Sequence, residues 1–208
     1  MQNNPFGYNQ NLPEAIRDIF MWLCQDVAAL QQKWSFYLEL FSDEETTELL
    51  SNLALASFQI IEESLRDDMT MAICRLSDPV RSGGQDNLSF KTLFQRLDEH
   101  HRPSELLEEF LEACEPVRII RNKQVSHNDL DTTIKPQDNP LPGIGRAHIE
   151  RIIKLAERIL NKVYERFVDS QLSFRLIHIG GADALLFWLR MGKEYDMKKT
   201  NLELDDLA

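Results

Sequence analysis

The sequence predicts an all-α protein, an antiparallel helical bundle of six to seven helices with no substantial sheet. Apolar residues recur at steps of three and four along most of the chain, the spacing that places them on one face of an α-helix. The apolar–polar alternation typical of strands is weak and confined to residues 174–179. We expect one helical domain over residues 12–195, with residues 1–11 and 196–208 as flexible termini.

Two long helices are predicted for the first 78 residues. Asn11 and Pro13 mark the start of the first, because proline is tolerated in the first turn, and its apolar pattern extends to Leu40. The segment Ser42-Asp43-Glu44-Glu45 has the spacing of a capping box and opens the second helix, which ends at Asp78-Pro79. The apolar stripe of this second helix consists of Leu49, Leu50, Leu53, Ala56, Ile60, Leu65, Met69, Ile73 and Leu76.

Shorter helices alternate with breaks in the middle of the chain. Residues 81–87 form a loop by composition, and a helix follows from Phe90. Arg102-Pro103-Ser104 separates that helix from the next. Pro116 interrupts the next helix, and we expect a kink or a fresh start there before a last stretch of helix to His127.

A proline- and glycine-rich loop over residues 129–146 precedes the last two helices, and loops of this length are often functional. The helix after it has an unbroken apolar stripe from Ile149 to Phe167. The final helix follows Gly180-Gly181, and we expect the charged tail from Lys198 to be frayed.

Composition and charge exclude several classes of protein. No apolar run approaches the roughly 20 residues that cross a bilayer, and the N-terminus lacks the features of a signal peptide, so we expect a cytoplasmic protein. The three cysteines lie far apart without a CxxC pair, which indicates reduced, buried thiols. The formal charge of −11 excludes nucleic-acid binding over the whole surface, so any site for a polyanion must be local.

Most candidate sites have ordinary structural explanations. The pairs Gly83-Gly84 and Gly180-Gly181 lack the strand–turn–helix context of a phosphate-binding loop, and a hinge or a helix cap explains them. His100-His101 has no metal-ligating partner four residues on, while His148 and His178 are isolated. We therefore predict no metal site and no cofactor.

Residues 117–128 differ from their surroundings because they contain no acidic residue in a strongly acidic chain. Their basic residues and histidine are Arg118, Arg121, Lys123 and His127. The segment also runs into the long loop, which leaves one flank open. Cations near a helix C-terminus are stabilising through the helix dipole alone, so a charge patch without function is the alternative.

The layout around this segment resembles the HEPN superfamily, in which an arginine, a polar residue directly after it and a histidine a few positions on lie in one helix of an all-α bundle. Arg121, Asn122 and His127 fit this order. The context resembles the AbiU-like, abortive-infection branch over about residues 12–190. The segments that carry this resemblance are Arg75-Leu76-Ser77-Asp78, Asn87-Leu88-Ser89-Phe90, Ile120-Arg121-Asn122-Lys123 and His127-Asn128-Asp129-Leu130.

The resemblance implies a metal-independent endoribonuclease that acts in phage defence or as a toxin, and that works as a homodimer. The expected site residues are Arg121, Asn122 and His127 for catalysis and Arg118 and Lys123 for RNA binding. An antitoxin or nucleotidyltransferase partner is also implied. Some HEPN toxins carry a tyrosine that such a partner modifies, but Asp129 stands at that position here.

The residue types suit RNA cleavage in which the substrate's 2′-hydroxyl is the nucleophile. The unperturbed pKa of a histidine side chain is about 6.5, so a histidine at position 127 suits proton transfer near neutral pH. The helix C-terminus favours its protonated form and Arg121 opposes it, which leaves the balance open. Arg121 is always charged and can hold two phosphate oxygens, while Asn122 could orient either group.

The spacing of Arg121 and His127 bears on how many chains form the site. Six residues at about 100° each place the two side chains roughly 120° apart and about 9 Å along an ideal helix. Either His127 lies in a frayed last turn or two chains assemble the site across a two-fold axis, as the resemblance implies. The alternative function is a non-catalytic helical module that binds a protein partner or a nucleotide in a defence or toxin–antitoxin system. Burial of both side chains in one core would favour that alternative.

Overall fold

The computed structural model describes residues 10–125, 134, 137, 140–174 and 181–205. This part of the chain contains six α-helices and one two-stranded hairpin, which confirms the predicted all-α fold class. The helices are α1 (Glu14–Phe41), α2 (Glu44–Leu76), α3 (Phe90–Arg96), α4 (Ser104–Ile120), α5 (Arg146–Tyr164) and α6 (Ala182–Asp205). No helix in the described residues is long and apolar enough to cross a membrane.

The chain forms two compact units. The first draws on residues 1–32 and 67–176, and the second on residues 33–66 and 177–208. Both α1 and α2 therefore contribute residues to each unit. The single domain expected over residues 12–195 stays a prediction.

The core of the first unit holds the apolar faces that the three- and four-residue periodicity predicts. Helices α4 and α5 pack against each other, and the rings of Phe90 and Phe110 meet edge to face with centroids 5.0 Å apart. Cys24, Cys74 and Cys114 are buried free thiols, as predicted. Burial raises the pKa of all three, that of Cys114 to about 12, which keeps them protonated and unreactive at neutral pH.

The N-terminal half of α2 departs from the predicted apolar stripe. Its cap is Asp43, whose carboxylate accepts a hydrogen bond from the backbone N–H of Thr46 at 2.8 Å. A kink at Ala54, with φ −160° and ψ 61°, then changes the buried face. Phe58 is buried while Ile60 is 64% exposed, so the predicted stripe is wrong just after the kink, whereas its later members Met69, Ile73 and Leu76 are buried as predicted. Leu53 and Ala56, two other members of the predicted stripe, are exposed as well.

Other local predictions also needed correction. Strands β1 (Arg81–Ser82) and β2 (Gln85–Asp86) form a hairpin where a loop was expected. Gly83 and Gly84 make its turn with φ of 56° and 84°, values that glycine adopts without strain. Pro116 lies inside the continuous helix α4, so the expected fresh start is wrong. Helix α6 continues to Asp205, beyond the expected start of fraying at Lys198.

Two predicted features fall largely outside the described residues. Most of the predicted loop over residues 129–146 lies outside the described residues. Helix α5 begins at Arg146, where the loop was predicted to end. Residues 175–179 of the weakly alternating segment also lie outside.

Candidate functional site

The basic segment continues α4 in a π-helical turn. Helix α4 ends at Ile120, and Arg121–Val125 form a π-helical turn, a conformation whose hydrogen bonds span five residues instead of four. A turn of this kind holds one residue more than an α-helical turn, so the 120° estimate for an ideal helix does not apply to Arg121 and His127. The chain is thus helical through Val125, as predicted, although the last turn is of the π type, and residues 126–127 of the predicted helix lie outside the described residues. Turns of this kind occur frequently at functional sites.

Arg118 joins the C-terminal end of α4 to the end of α2. Its Nη1 donates to the Asp78 carboxylate at 3.0 Å and to the Ser77 hydroxyl at 3.1 Å. The same nitrogen lies 3.3 Å from the backbone carbonyl of Cys74. Because α2 stops at Leu76, before Pro79, its last carbonyls and the Asp78 side chain are available to this guanidinium. Arg118 thus has a structural role, and its predicted contact with RNA stays a prediction.

Arg121 lies on the same face as Arg118, three residues further on. Its Nη2 is 3.8 Å from the Asp78 carboxylate, an ion pair longer than a hydrogen bond. Its Nε is buried and has no hydrogen-bond partner in the described part of the chain. The arginine side chain is 24% exposed, so it is not enclosed in the core. Burial of both Arg121 and His127 in one core would have favoured the non-catalytic alternative; the Arg121 side chain is partly exposed, and His127 lies outside the described residues.

The buried Cys74 thiol lies next to the Arg121 side chain. Burial raises the pKa of this thiol, while the neighbouring Arg121 and Arg118 guanidinium groups act in the opposite direction. Two arginines and one carboxylate leave the cluster with one net positive charge, in a chain whose formal charge is −11. The cluster is therefore a local place where a phosphate would meet positive charge.

The other predicted site residues are only partly described. Asn122 is exposed and Lys123 is partly exposed, so both side chains can reach solvent. His127 lies outside the described residues. Thus the structure brings Arg118 and Arg121 together, with Asn122 and Lys123 next to them in the turn.

Sequence reasoning missed Asp78 as a member of the site. It identified this residue only as the end of a helix, although the resemblance rested partly on the segment that contains it. The one signal in the sequence that points to Asp78 is its position directly before a proline at the end of a helix. Proline restricts the backbone of the residue before it, so the carboxylate starts from a fixed position. The 40-residue separation from Arg118 hides the pairing in the sequence.

Of the two isolated histidines, His148 and His178, the described part of the chain includes His148. His148 lies in the first turn of α5, and its Nε2 is 2.8 Å from the backbone oxygen of Ala113 in α4. It therefore joins two packed helices, a contact that the sequence did not reveal. His178 falls outside the described residues.

Comparison with known families gives one match. The model of the HEPN AbiU2 family matches residues 14–178, most of the chain. The matched range includes the whole Arg118–Arg121–Asp78 cluster and His127. No curated protein and no solved structure matches the chain.

Proposed function

Because this chain belongs to the HEPN AbiU2 family, we propose that it is a metal-independent endoribonuclease acting in phage defence or as a toxin. The observation that carries the proposal is the position of Arg121. It begins a π-helical turn, is partly exposed, and its ion pair to Asp78 is long, with the neutral Cys74 thiol as its other neighbour. An arginine without a short-range acidic partner remains available for a phosphate group.

In the proposed reaction, the 2′-hydroxyl of the RNA attacks the adjacent phosphorus and the 5′-oxygen of the next nucleotide leaves. The products are a 2′,3′-cyclic phosphate and a 5′-hydroxyl. His127 takes the proton from the 2′-hydroxyl or gives one to the leaving oxygen. Arg121 stabilises the negative charge that develops on the phosphate oxygens, and Asn122 orients one of these groups.

The neighbouring cations would bind the RNA backbone on either side of the reacting phosphate. Lys123 follows Asn122 in the same turn and is partly exposed, which suits such a contact. Arg118 holds Asp78 through a 3.0 Å hydrogen bond, so it keeps the acid from closing on Arg121. A second copy of the chain would complete the site as a homodimer, and an antitoxin or a nucleotidyltransferase would be the partner that regulates it.

Cleavage of total RNA in the presence of EDTA tests the proposal. We expect the wild-type chain to cleave RNA to cyclic-phosphate ends, and His127→Ala and Arg121→Ala to lose about 100-fold or more of that activity. His100→Ala and Arg75→Ala are matched controls, because both residues are exposed and lie outside the basic segment. Circular dichroism would verify that every variant is folded.

Equal cleavage by the wild type and the two site variants would overturn the proposal. The alternative, a non-catalytic helical module, is favoured by the hydrogen bonds of Arg118, which give one of the basic residues a purely structural explanation. It predicts no cleavage by the wild type, with a cellular phenotype that depends on surface residues outside positions 121–127.

A further inference from the structure

Three metal-ligating side chains meet in the turn between α3 and α4. Asp98 directly precedes a 3₁₀ turn, Glu99–His101, that leads toward α4. The ligand atoms of Asp98, His100 and His101 all lie within 4.8 Å of one another. Among the described residues, this is the one group of three such side chains that are so close together.

The spacing of this group differs from that of a metal site on an α-helix, where two ligands lie four residues apart, so the pattern of the sequence does not reveal it. In the shorter 3₁₀ turn the third ligand, Asp98, comes before the histidines instead. Its carboxylate oxygen is 3.9 Å from Nδ1 of His101, a residue three positions on.

The backbone of this turn is held in place from several sides. The N–H of His101 donates to the Asp98 carbonyl at 2.9 Å, and the N–H of Arg102 donates to the Glu99 carbonyl at 3.1 Å. The guanidinium of Arg102 donates to the Leu97 carbonyl at 2.8 Å. The turn therefore presents its side chains from a fixed backbone.

The three side chains differ in how firmly they are placed. The His101 ring contacts the ring of Phe167 with centroids 5.0 Å apart, and its side chain is 25% exposed. His100 is exposed, and the Asp98 side chain is 77% exposed. One ligand is thus fixed against the protein and two can adjust.

We propose that Asp98, His100 and His101 form a binding site for a divalent transition-metal ion of the Zn²⁺ class. Two imidazole nitrogens and one carboxylate oxygen are a ligand set that suits Zn²⁺, whereas Mg²⁺ and Ca²⁺ take oxygen ligands. Ligands around a tetrahedral Zn²⁺ are about 3.3 Å apart, so the two exposed side chains need to move by roughly 1.5 Å at most. Water would fill the fourth position.

This ion would have no part in RNA cleavage. Helix α4 begins at Ser104, and Arg121 lies 17 residues further on, which is about 26 Å along a helix. The ion would instead tie together the ends of the turn before α4. The inference therefore does not depend on the proposed nuclease activity, and it is compatible with cleavage in EDTA.

Titration of the untagged full-length chain with Zn²⁺ at pH 7.5, followed by calorimetry, tests the site. We expect one ion per chain for the wild type, and binding weakened by about tenfold or more in His100→Ala and in Asp98→Asn. Glu99→Gln is the matched control, because it removes an exposed acid from the same turn without removing a proposed ligand. Both site variants change exposed side chains, so they should fold.

Two results would overturn the site: no binding of Zn²⁺ by the wild type, or equal binding by the wild type and both site variants. Titration with Co²⁺ gives an independent readout, since a thiolate-to-cobalt absorption band would place the ion on cysteine instead. We expect no such band, because the three thiols are buried and protonated. Zn²⁺ should also raise the unfolding temperature of the wild type but not of His100→Ala.

Discussion

Asp78 is the residue on which the geometry of the basic segment depends. Its carboxylate accepts a 3.0 Å hydrogen bond from Arg118 and lies 3.8 Å from Arg121. About a quarter of each of these three side chains is exposed, so solvent screens their charges only in part. Without this acid, the guanidinium groups of Arg118 and Arg121 would lose the carboxylate that both of them contact. Asp78 therefore has two roles: it stabilises the fold, and it holds the Arg121 side chain in position.

The variant Asp78→Asn keeps the size of the side chain and removes its charge. We expect the free energy of unfolding to fall by about 1–3 kcal/mol, because a hydrogen bond between charged groups is weakened and two cations lose their partner. Urea denaturation monitored by circular dichroism measures this change. If the chain is a nuclease, cleavage should fall as well, although Arg121 and His127 are intact.

Asp86→Asn provides the matched control at the residue scale. Asp86 is 60% exposed and its ion pairs with Arg81 and Arg96 are 3.8 and 3.9 Å long. Exposed pairs of this length contribute little, so the change should stay within about 0.5 kcal/mol. An equal loss of stability in both variants would contradict the special role of Asp78.

At the scale of elements, the helices could be predicted where one apolar stripe continues without interruption. The existence of α5 follows from this rule, whereas the start of α1 after Pro13 and the start of α3 at Phe90 follow from the proline and from the polar loop that precede them. Pro116 did not end α4, although a proline inside a helix costs about 3 kcal/mol. Buried residues on both sides of the proline, Cys114 and Val117 among them, maintain the helix through their packing.

Backbone departures could not be predicted in the same way. Alanine is the strongest helix former, so nothing at Ala54 indicates the kink in α2. The turn Arg121–Val125 likewise has no proline or glycine to mark its change in hydrogen bonding. The candidate site could likewise be predicted only in part. Charge and resemblance identify Arg121 in the sequence, but the contact between Arg121 and Asp78 exists only in the folded chain.

Deletion of Gln124 tests the π-helical turn. Gln124 is exposed, and removing one residue lets the turn revert to α-helical hydrogen bonds with little loss of packing. The removed residue is the extra one that the π-helical turn accommodates, so the change falls on the turn itself and shifts Asn122 and Lys123 relative to Arg121. We expect the deleted chain to fold and to lose RNA cleavage, as measured with the same substrate as for His127→Ala.

The point substitution Gln124→Ala separates the geometry of the turn from the glutamine side chain. It keeps the number of residues, so cleavage should remain close to that of the wild type. If the deletion variant cleaved RNA as well as Gln124→Ala does, the π-helical turn would have no role in arranging the site. A deletion variant that unfolds would instead show that the turn is needed for stability, and a helical circular dichroism spectrum distinguishes these outcomes.

At the scale of the whole molecule, charge limits how RNA can bind. The chain carries 34 acidic and 23 basic side chains, so its general surface repels a polyanion. The basic segment is a small exception within that surface. Two copies related by a two-fold axis would bring two basic segments together and double the local positive charge, which is the arrangement that the proposed homodimer requires.

Mixing two inactive variants tests whether the proposed site is shared between chains. A site that takes Arg121 from one chain and His127 from its partner is intact once in every mixed dimer of Arg121→Ala and His127→Ala. After the two variants are unfolded together and refolded in equal amounts, about half of the dimers are mixed, so about a quarter of the wild-type cleavage should return. Each variant refolded alone is the control and should stay inactive. A site built within one chain has no intact copy in any mixed dimer, so a mixture that stays inactive would contradict the shared site while leaving the losses in the single variants unaffected.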